Sequence, residues 1–171
     1  MLLLTSFQTW LPHQKSNSSD DLLQEIAKLN LQKYPLTFLR QLPVDTSQAS
    51  KLVIEKIQSL QPEGIICCGM AESRTLLTVE SHACLGETRL DTTVDLTKLT
   101  NPLQCTEISH DAGKFVCEGL YYEVLTYLQR KKLKSKCIFV HVPVINEDNL
   151  DGIMEDFLLI LAEMALKKAN S

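Results

Sequence analysis

Val53-Ile54-Glu55-Lys56-Ile57-Gln58-Ser59-Leu60-Gln61-Pro62-Glu63-Gly64-Ile65-Ile66-Cys67-Cys68 reads as a helix running directly into a buried strand. Val53, Ile57 and Leu60 recur at the spacing of one helical face, and Ile65 to Cys68 form a short unbroken apolar run. Between them, Gln61-Pro62-Glu63-Gly64 combines a residue that cannot continue a helix with one suited to a turn. A strand without polar alternation is covered on both faces, which is the condition of a parallel sheet between two layers of helices.

The same unit extends upstream. Leu2 to Phe7 is an apolar run ending in a polar, proline-containing stretch from Gln8 to Ser19, as a strand feeding a long loop would. Ser19 or Asp20 can cap a helix carrying Leu22, Ile26 and Leu29, and Pro35 forces an extended entry into a strand across Leu36 to Leu42. The next helix starts near Asp45. Downstream, Thr75 to Val79 is a further strand candidate, and Cys84 to Ser109 lacks periodicity and reads as mostly loop. Lys114 to Arg130 follows as a helix and Cys137 to Val142 as a buried strand; Ile153, Phe157, Leu161 and Met164 stripe a last helix. Alternation of this kind predicts a three-layer α/β/α sandwich around an open, twisted, mostly parallel sheet.

Composition is consistent with one domain spanning 1–171. The chain has 171 residues, 44% of them hydrophobic and 22% charged, which is enough to bury a core unaided. A net charge of -4 supplies no basic footprint for nucleic acid. The N-terminal Met1-Leu2-Leu3-Leu4-Thr5-Ser6-Phe7 lacks the basic region and the apolar length of a signal peptide or membrane span. Six cysteines without a secretory signal are expected to be reduced thiols, which points to the cytoplasm.

In open α/β sheets, ligands sit beyond the carboxyl ends of the strands. Five stretches qualify: Phe7 to Leu11, Gly69 to Arg74, Glu80, Asp111-Ala112-Gly113 running into Cys117, and His141. Cys117 falls in the first turn of a helix, where the positive helix end favours a thiolate, so its pKa should lie below the free-thiol value of about 8.5. His141, at the end of a buried strand, can take and return a thiol proton if a third group fixes its tautomer, and Glu80 can be that group. Cys67, Cys68 and Cys137 read as core packing. His82 and Cys84 form a His-x-Cys pair with no Cys-x-x-Cys partner, too little for a zinc site, and no metal is expected. Phe7 and Trp10 are equally readable as core aromatics or as pocket walls.

The segment Ile108-Ser109-His110-Asp111-Ala112-Gly113-Lys114-Phe115-Val116-Cys117, continued by Tyr121-Tyr122, resembles the nucleophile motif of the pyroglutamyl peptidase type I family. Phe139-Val140-His141-Val142-Pro143 is similar to that family's histidine strand, and Gly69-Met70-Ala71-Glu72-Ser73-Arg74 leading to Val79-Glu80 to its glutamate segment. Thr5-Ser6-Phe7 and Leu42-Pro43-Val44 add support, so that the likeness spreads over almost the whole chain.

The resemblance implies a cysteine omega-exopeptidase that removes N-terminal pyroglutamyl (5-oxoprolyl) groups from peptides or amides without metal or cofactor. It implies Cys117 as nucleophile, His141 as proton shuttle and Glu80 as its orienter, with Phe7, Trp10, Met70, Phe115 and Val116 around the substrate ring. It leaves room for a homo-oligomer. The chain departs from the family where Ser6-Phe7-Gln8-Thr9-Trp10-Leu11-Pro12 lacks the family's loop glycines and where Met70 replaces a glutamine that meets the lactam in many bacterial members. It is also shortened between Glu80 and Cys117. These departures favour two alternatives: a binding or interaction protein that keeps the fold, or a cysteine hydrolase of another small amide.

Overall fold

A computed structural model describes residues 1–166. Thirteen elements follow in chain order: β1 (Leu2–Phe7), α1 (Ser18–Lys28), β2 (Leu36–Leu42), α2 (Thr46–Leu60), β3 (Gly64–Met70), β4 (Leu77–Glu80), β5 (His82–Leu85), β6 (Thr88–Asp91), α3 (Leu96–Thr100), β7 (Thr106–Ser109), α4 (Val116–Arg130), β8 (Lys136–Val142) and α5 (Leu150–Ala165). Six strands form the central sheet in the order β2-β1-β3-β8-β4-β7. The first four are mutually parallel; β4 runs antiparallel to β8 and parallel to β7. The sheet is therefore mostly parallel, with one reversal at β4.

Helices cover both faces. Leu2, Leu4, Ile66, Cys68, Leu77, Val79, Ile138, Val140 and Val142 point to one side, against α1, α3 and α5. Leu3, Phe7, Ile65, Cys67, Cys137 and Phe139 point to the other, against α2 and α4. This period-two partition of apolar strands is what produces three layers rather than two. It also assigns His141 to the α4 side, because His141 shares parity with Phe139. Glu80 falls on that side as well, because Leu77 and Val79 face away from it.

Several boundaries differ from the sequence expectation for definable reasons. Asn17, rather than Ser19 or Asp20, caps α1: its side chain accepts from the Ser19 backbone N–H. Ser19 and Asp20 lie buried inside the first turn, where Asp20 takes hydrogen bonds from Ser6 Oγ at 2.7 Å and Arg40 Nε at 2.8 Å and so ties α1 to β1 and β2. Asp45 caps α2 as the sequence predicts, and α2 ends at Gln61 in the left-handed region.

The larger correction concerns Cys84 to Ser109, which is structured. β5 and β6 form an antiparallel hairpin around Gly86, whose φ of 59° favours glycine, α3 starts at an Asp95 cap, and β7 adds an edge strand. Asp156 of α5 secures the start of that strand by accepting from Cys105 N at 2.7 Å and Thr106 Oγ1 at 2.6 Å. These strands are four residues long and only Ala83 among their residues is buried, so they carry no hydrophobic periodicity to read.

Candidate active site

Strand order reverses around β1, with β2 on one side and β3 on the other, and the loops at their carboxyl ends enclose a cavity of about 300 Å³. Such a switch point is where an open α/β sheet leaves a crevice. Phe7 ends β1 and Met70 ends β3; both line the cavity, with Trp10, Val44, Val116 and Cys117. Trp10 is half exposed and Phe7 is buried. Phe115 lies outside the lining: it is exposed, and its ring meets Trp10 at a centroid distance of 5.4 Å, backing the wall rather than forming it. The lining also includes Glu72 and Ser73, from the strand-end stretch Gly69 to Arg74, and the polar loop residues Gln14 and Asn17, which no local pattern singles out.

Cys117 is the second residue of α4. The helix begins at Phe115 without a side-chain cap, so backbone N–H groups of the first turn face the site unclaimed by a capping side chain. Its sulfur lies over Gly69, where an added methyl group would fall 2.5 Å from Cys117 Sγ and 3.0 Å from Phe139 Cζ. Gly69 is the register partner of His141 across β3 and β8. The absent side chain is thus what lets α4 bring its first turn down beside the histidine strand.

His141 is buried, and its Nδ1 lies 2.7 Å from Glu80 Oε1. Burial pushes the Glu80 carboxyl up, but hydrogen bonding with His141, Ser109 and Arg74 and the charge of His141 outweigh it and hold the group below its ordinary value of 4.5. An ionised carboxylate only accepts, so the bond to His141 requires a proton on Nδ1; in the neutral imidazole that tautomer puts the lone pair on Nε2. Tyr121 Oη donates to the Glu80 carbonyl at 3.0 Å, which fixes β4 against α4.

Arg74 is the residue that sequence reasoning passes over. Its Nη1 donates to Glu80 Oε1 at 2.5 Å and to Thr78 Oγ1, while Nη2 donates to the Asp111 carbonyl at 2.6 Å. One guanidinium thereby compensates a fully buried carboxylate and pins the loop that leads into Cys117. The signal that could find it is the need of a buried glutamate for a cation, and Arg74 is the nearest arginine before Glu80 in the chain.

The thiol departs from expectation. Burial, with the charge of Glu80 and the neighbouring Cys67 adding to it, pushes Cys117 up to about 12, against a lowering by Arg74. Desolvation exceeds the help of the helix terminus here. The resting Cys117 is therefore a neutral thiol at neutral pH.

Residues 92–167 match the family model described as pyroglutamyl peptidase, a span that contains both Cys117 and His141. The pyrrolidone-carboxylate peptidase of Vibrio vulnificus (strain YJ016) is 26% identical over 172 residues, covering 85% of this chain and 79% of its own. Over residues 92–167 the chain is similar to the pyroglutamyl peptidase family. The pyrrolidone-carboxylate peptidase of Bacillus thuringiensis (strain Al Hakam) is 24% identical over 172 residues with the same coverage of each chain. The fold is that of family structures: pyroglutamyl peptidase I from Bacillus amyloliquefaciens superposes with a TM-score of 0.80 at 22% identity, covering 97% of this chain and 95% of that one. The pyrrolidone carboxyl peptidase of Fervidobacterium islandicum AW-1 gives a TM-score of 0.83 at 17% identity, covering 95% and 97%. No helix among the described residues is long and apolar enough to cross a membrane.

Proposed function

We propose that this chain is a cysteine exopeptidase that releases N-terminal pyroglutamyl groups from peptides or amides, using Cys117, His141 and Glu80. The observation that carries the reading is the buried Glu80–His141 pair, 2.7 Å apart, on the sheet face over which Cys117 Sγ rests against Gly69 at the edge of the cavity. The names and family of its relatives supply the substrate class.

In this mechanism the lactam ring enters the cavity between Phe7, Trp10, Met70 and Val116. Cys117 Sγ attacks the carbonyl carbon following the ring as His141 Nε2 takes the thiol proton, and first-turn N–H groups of α4, that of Cys117 among them, stabilise the oxyanion. The C–N bond then breaks, His141 returns its proton to the departing amine, and a thioester remains on Sγ. Water adds to the thioester as His141 accepts its proton. Collapse expels the thiolate, which recovers that proton, and 5-oxoproline leaves. Glu80 stays ionised throughout and balances the charge that develops on His141.

Because Cys117 is neutral at rest, the attack is coupled to proton transfer and draws on no standing thiolate. That same thiol, beside an apolar Met70, also favours a second reading in which the pocket binds a small cyclic amide without turning it over. A fluorogenic pyroglutamyl amide beside an alanyl amide separates the two. Cleavage of the first alone, lost in Cys117→Ala and His141→Ala, supports the peptidase; saturable binding without cleavage supports the second reading.

A further inference from the structure

The cavity wall made by Trp10 is not built on the sheet. Residues 8–10 follow β1 without regular structure, and Trp10 is half exposed. Two supports hold it. One is the Phe115 ring from the entry to α4. The other is the side-chain amide of Gln14, whose Oε1 accepts from Trp10 N at 3.0 Å and Leu11 N at 3.2 Å. The opposite end of that amide, Nε2, donates to Glu72 Oε1 at 2.6 Å, across the mouth of the cavity. His13 Nε2 reaches the same carboxylate at 2.9 Å.

Glu72 lies in the loop after β3, and both Glu72 and Gln14 line the cavity. Those hydrogen bonds hold its carboxyl below the ordinary range, so it is an ionised acceptor for Gln14 and His13 alike. An amide that accepts two backbone N–H groups on one loop and donates to a carboxylate on the other transmits the position of the second loop to the first.

We infer that Gln14 and Glu72 form a clasp between the β1–α1 and β3–β4 loops that positions Trp10 as the wall of the ring pocket, and that the clasp sets affinity for the cyclic group rather than the rate of bond cleavage. The functional half of this inference rests on the peptidase reading. Gln14 and Glu72 are positioning residues: they act through Trp10, while the reacting atoms belong to Cys117 and His141.

The chain contains a single tryptophan, so its fluorescence reports on this wall alone. The test uses the full chain with Gln14→Ala, Glu72→Ala and the conservative Glu72→Gln, each checked for an unchanged far-ultraviolet circular dichroism spectrum. Both alanine variants should red-shift Trp10 emission and increase its quenching by acrylamide. Both should raise KM for a pyroglutamyl amide about fivefold or more with kcat nearly unchanged, the loss expected for one hydrogen-bonded support. Glu72→Gln keeps an acceptor for Gln14 Nε2 and should restore emission and KM toward wild type.

Unchanged emission in both alanine variants overturns the clasp, as does a KM that rises while emission stays fixed, or a fall confined to kcat. A wild-type chain that fails to cleave the amide while 5-oxoproline still quenches Trp10 would sink the peptidase reading and leave the clasp to be judged by that titration. A Kd raised in the alanine variants then supports it, and an unchanged Kd, or no quenching by 5-oxoproline at all, overturns it.

Discussion

Gly69→Ala is the most direct probe of how the site is assembled. The added Cβ would lie 2.5 Å from Cys117 Sγ, about 1 Å inside an ordinary van der Waals contact, and 3.0 Å from Phe139 Cζ. Phe139 is fully buried and its ring also meets His141 at 4.9 Å, so it has little room to yield. Cys117 must move instead, either by turning its side chain or by lifting the first turn of α4. Overpacking of this kind costs about 1–3 kcal/mol, or roughly 2–12 °C in Tm for a chain of this size. A reacting atom displaced by about 1 Å can lose about a hundredfold in rate, so kcat should fall far more than stability.

The control is Gly64→Ala at the opposite end of β3, where the added Cβ meets Leu2 Cδ2 at 2.7 Å. It should lower Tm comparably and leave kcat intact. Thermal melts and hydrolysis of a pyroglutamyl amide by both variants give the comparison. Wild-type kcat in Gly69→Ala would refute the placement of the nucleophile over Gly69.

Three other outcomes follow from the same geometry. Glu80→Gln removes the carboxylate's charge and lets an amide NH2 face His141 Nδ1, which favours the wrong tautomer, and should lower kcat by about a hundredfold to ten-thousandfold, with KM little changed in steady-state hydrolysis. The depressed Glu80 carboxyl makes the unfolded chain take up a proton first on acidification. Its contribution to stability is therefore full above about 4.5 and is lost as pH falls through the lower folded value, so acid unfolding followed by circular dichroism should be less steep with pH in Glu80→Gln. Alkylation of Cys117 by iodoacetamide should accelerate about tenfold per pH unit between 7 and 9, since the thiol is pushed up to about 12; a plateau near neutrality would show a standing thiolate.

The fold is legible where burial imposes a period. The strands at Leu2–Phe7, Gly64–Met70 and Lys136–Val142 are covered on both sides, and the helices between them present an apolar stripe to the sheet. The hairpin at His82–Asp91 is not legible, because among its eight strand residues only Ala83 is buried. Sequence places the α1 cap at least two residues late because Ser19 and Asp20 are good capping residues in isolation. Tertiary partners, Ser6 and Arg40 for Asp20 and the Phe7 N–H for Ser19, claim their side chains instead.

The candidate site mixes both kinds of information. That His141 shares a sheet face with Phe139 follows from the two-residue period of a strand, and that Cys117 starts a helix follows from the turn before it. Neither fact brings them together. Proximity depends on β4 reversing direction beside β8, which carries Glu80 to the α4 side, and on Gly69 lacking the atom that would hold α4 away. The thiol pKa inverts the sequence expectation for the same reason: the approach that brings Cys117 down onto the sheet also strips water from its sulfur and sets it near a carboxylate. Proximity and a ready thiolate are thus opposed in this architecture, and in the proposed mechanism His141 reconciles them by taking the thiol proton. Activity under the proposed mechanism should accordingly depend on Nε2 of His141 being free at the moment of attack, which Glu80 and its partner Arg74 secure.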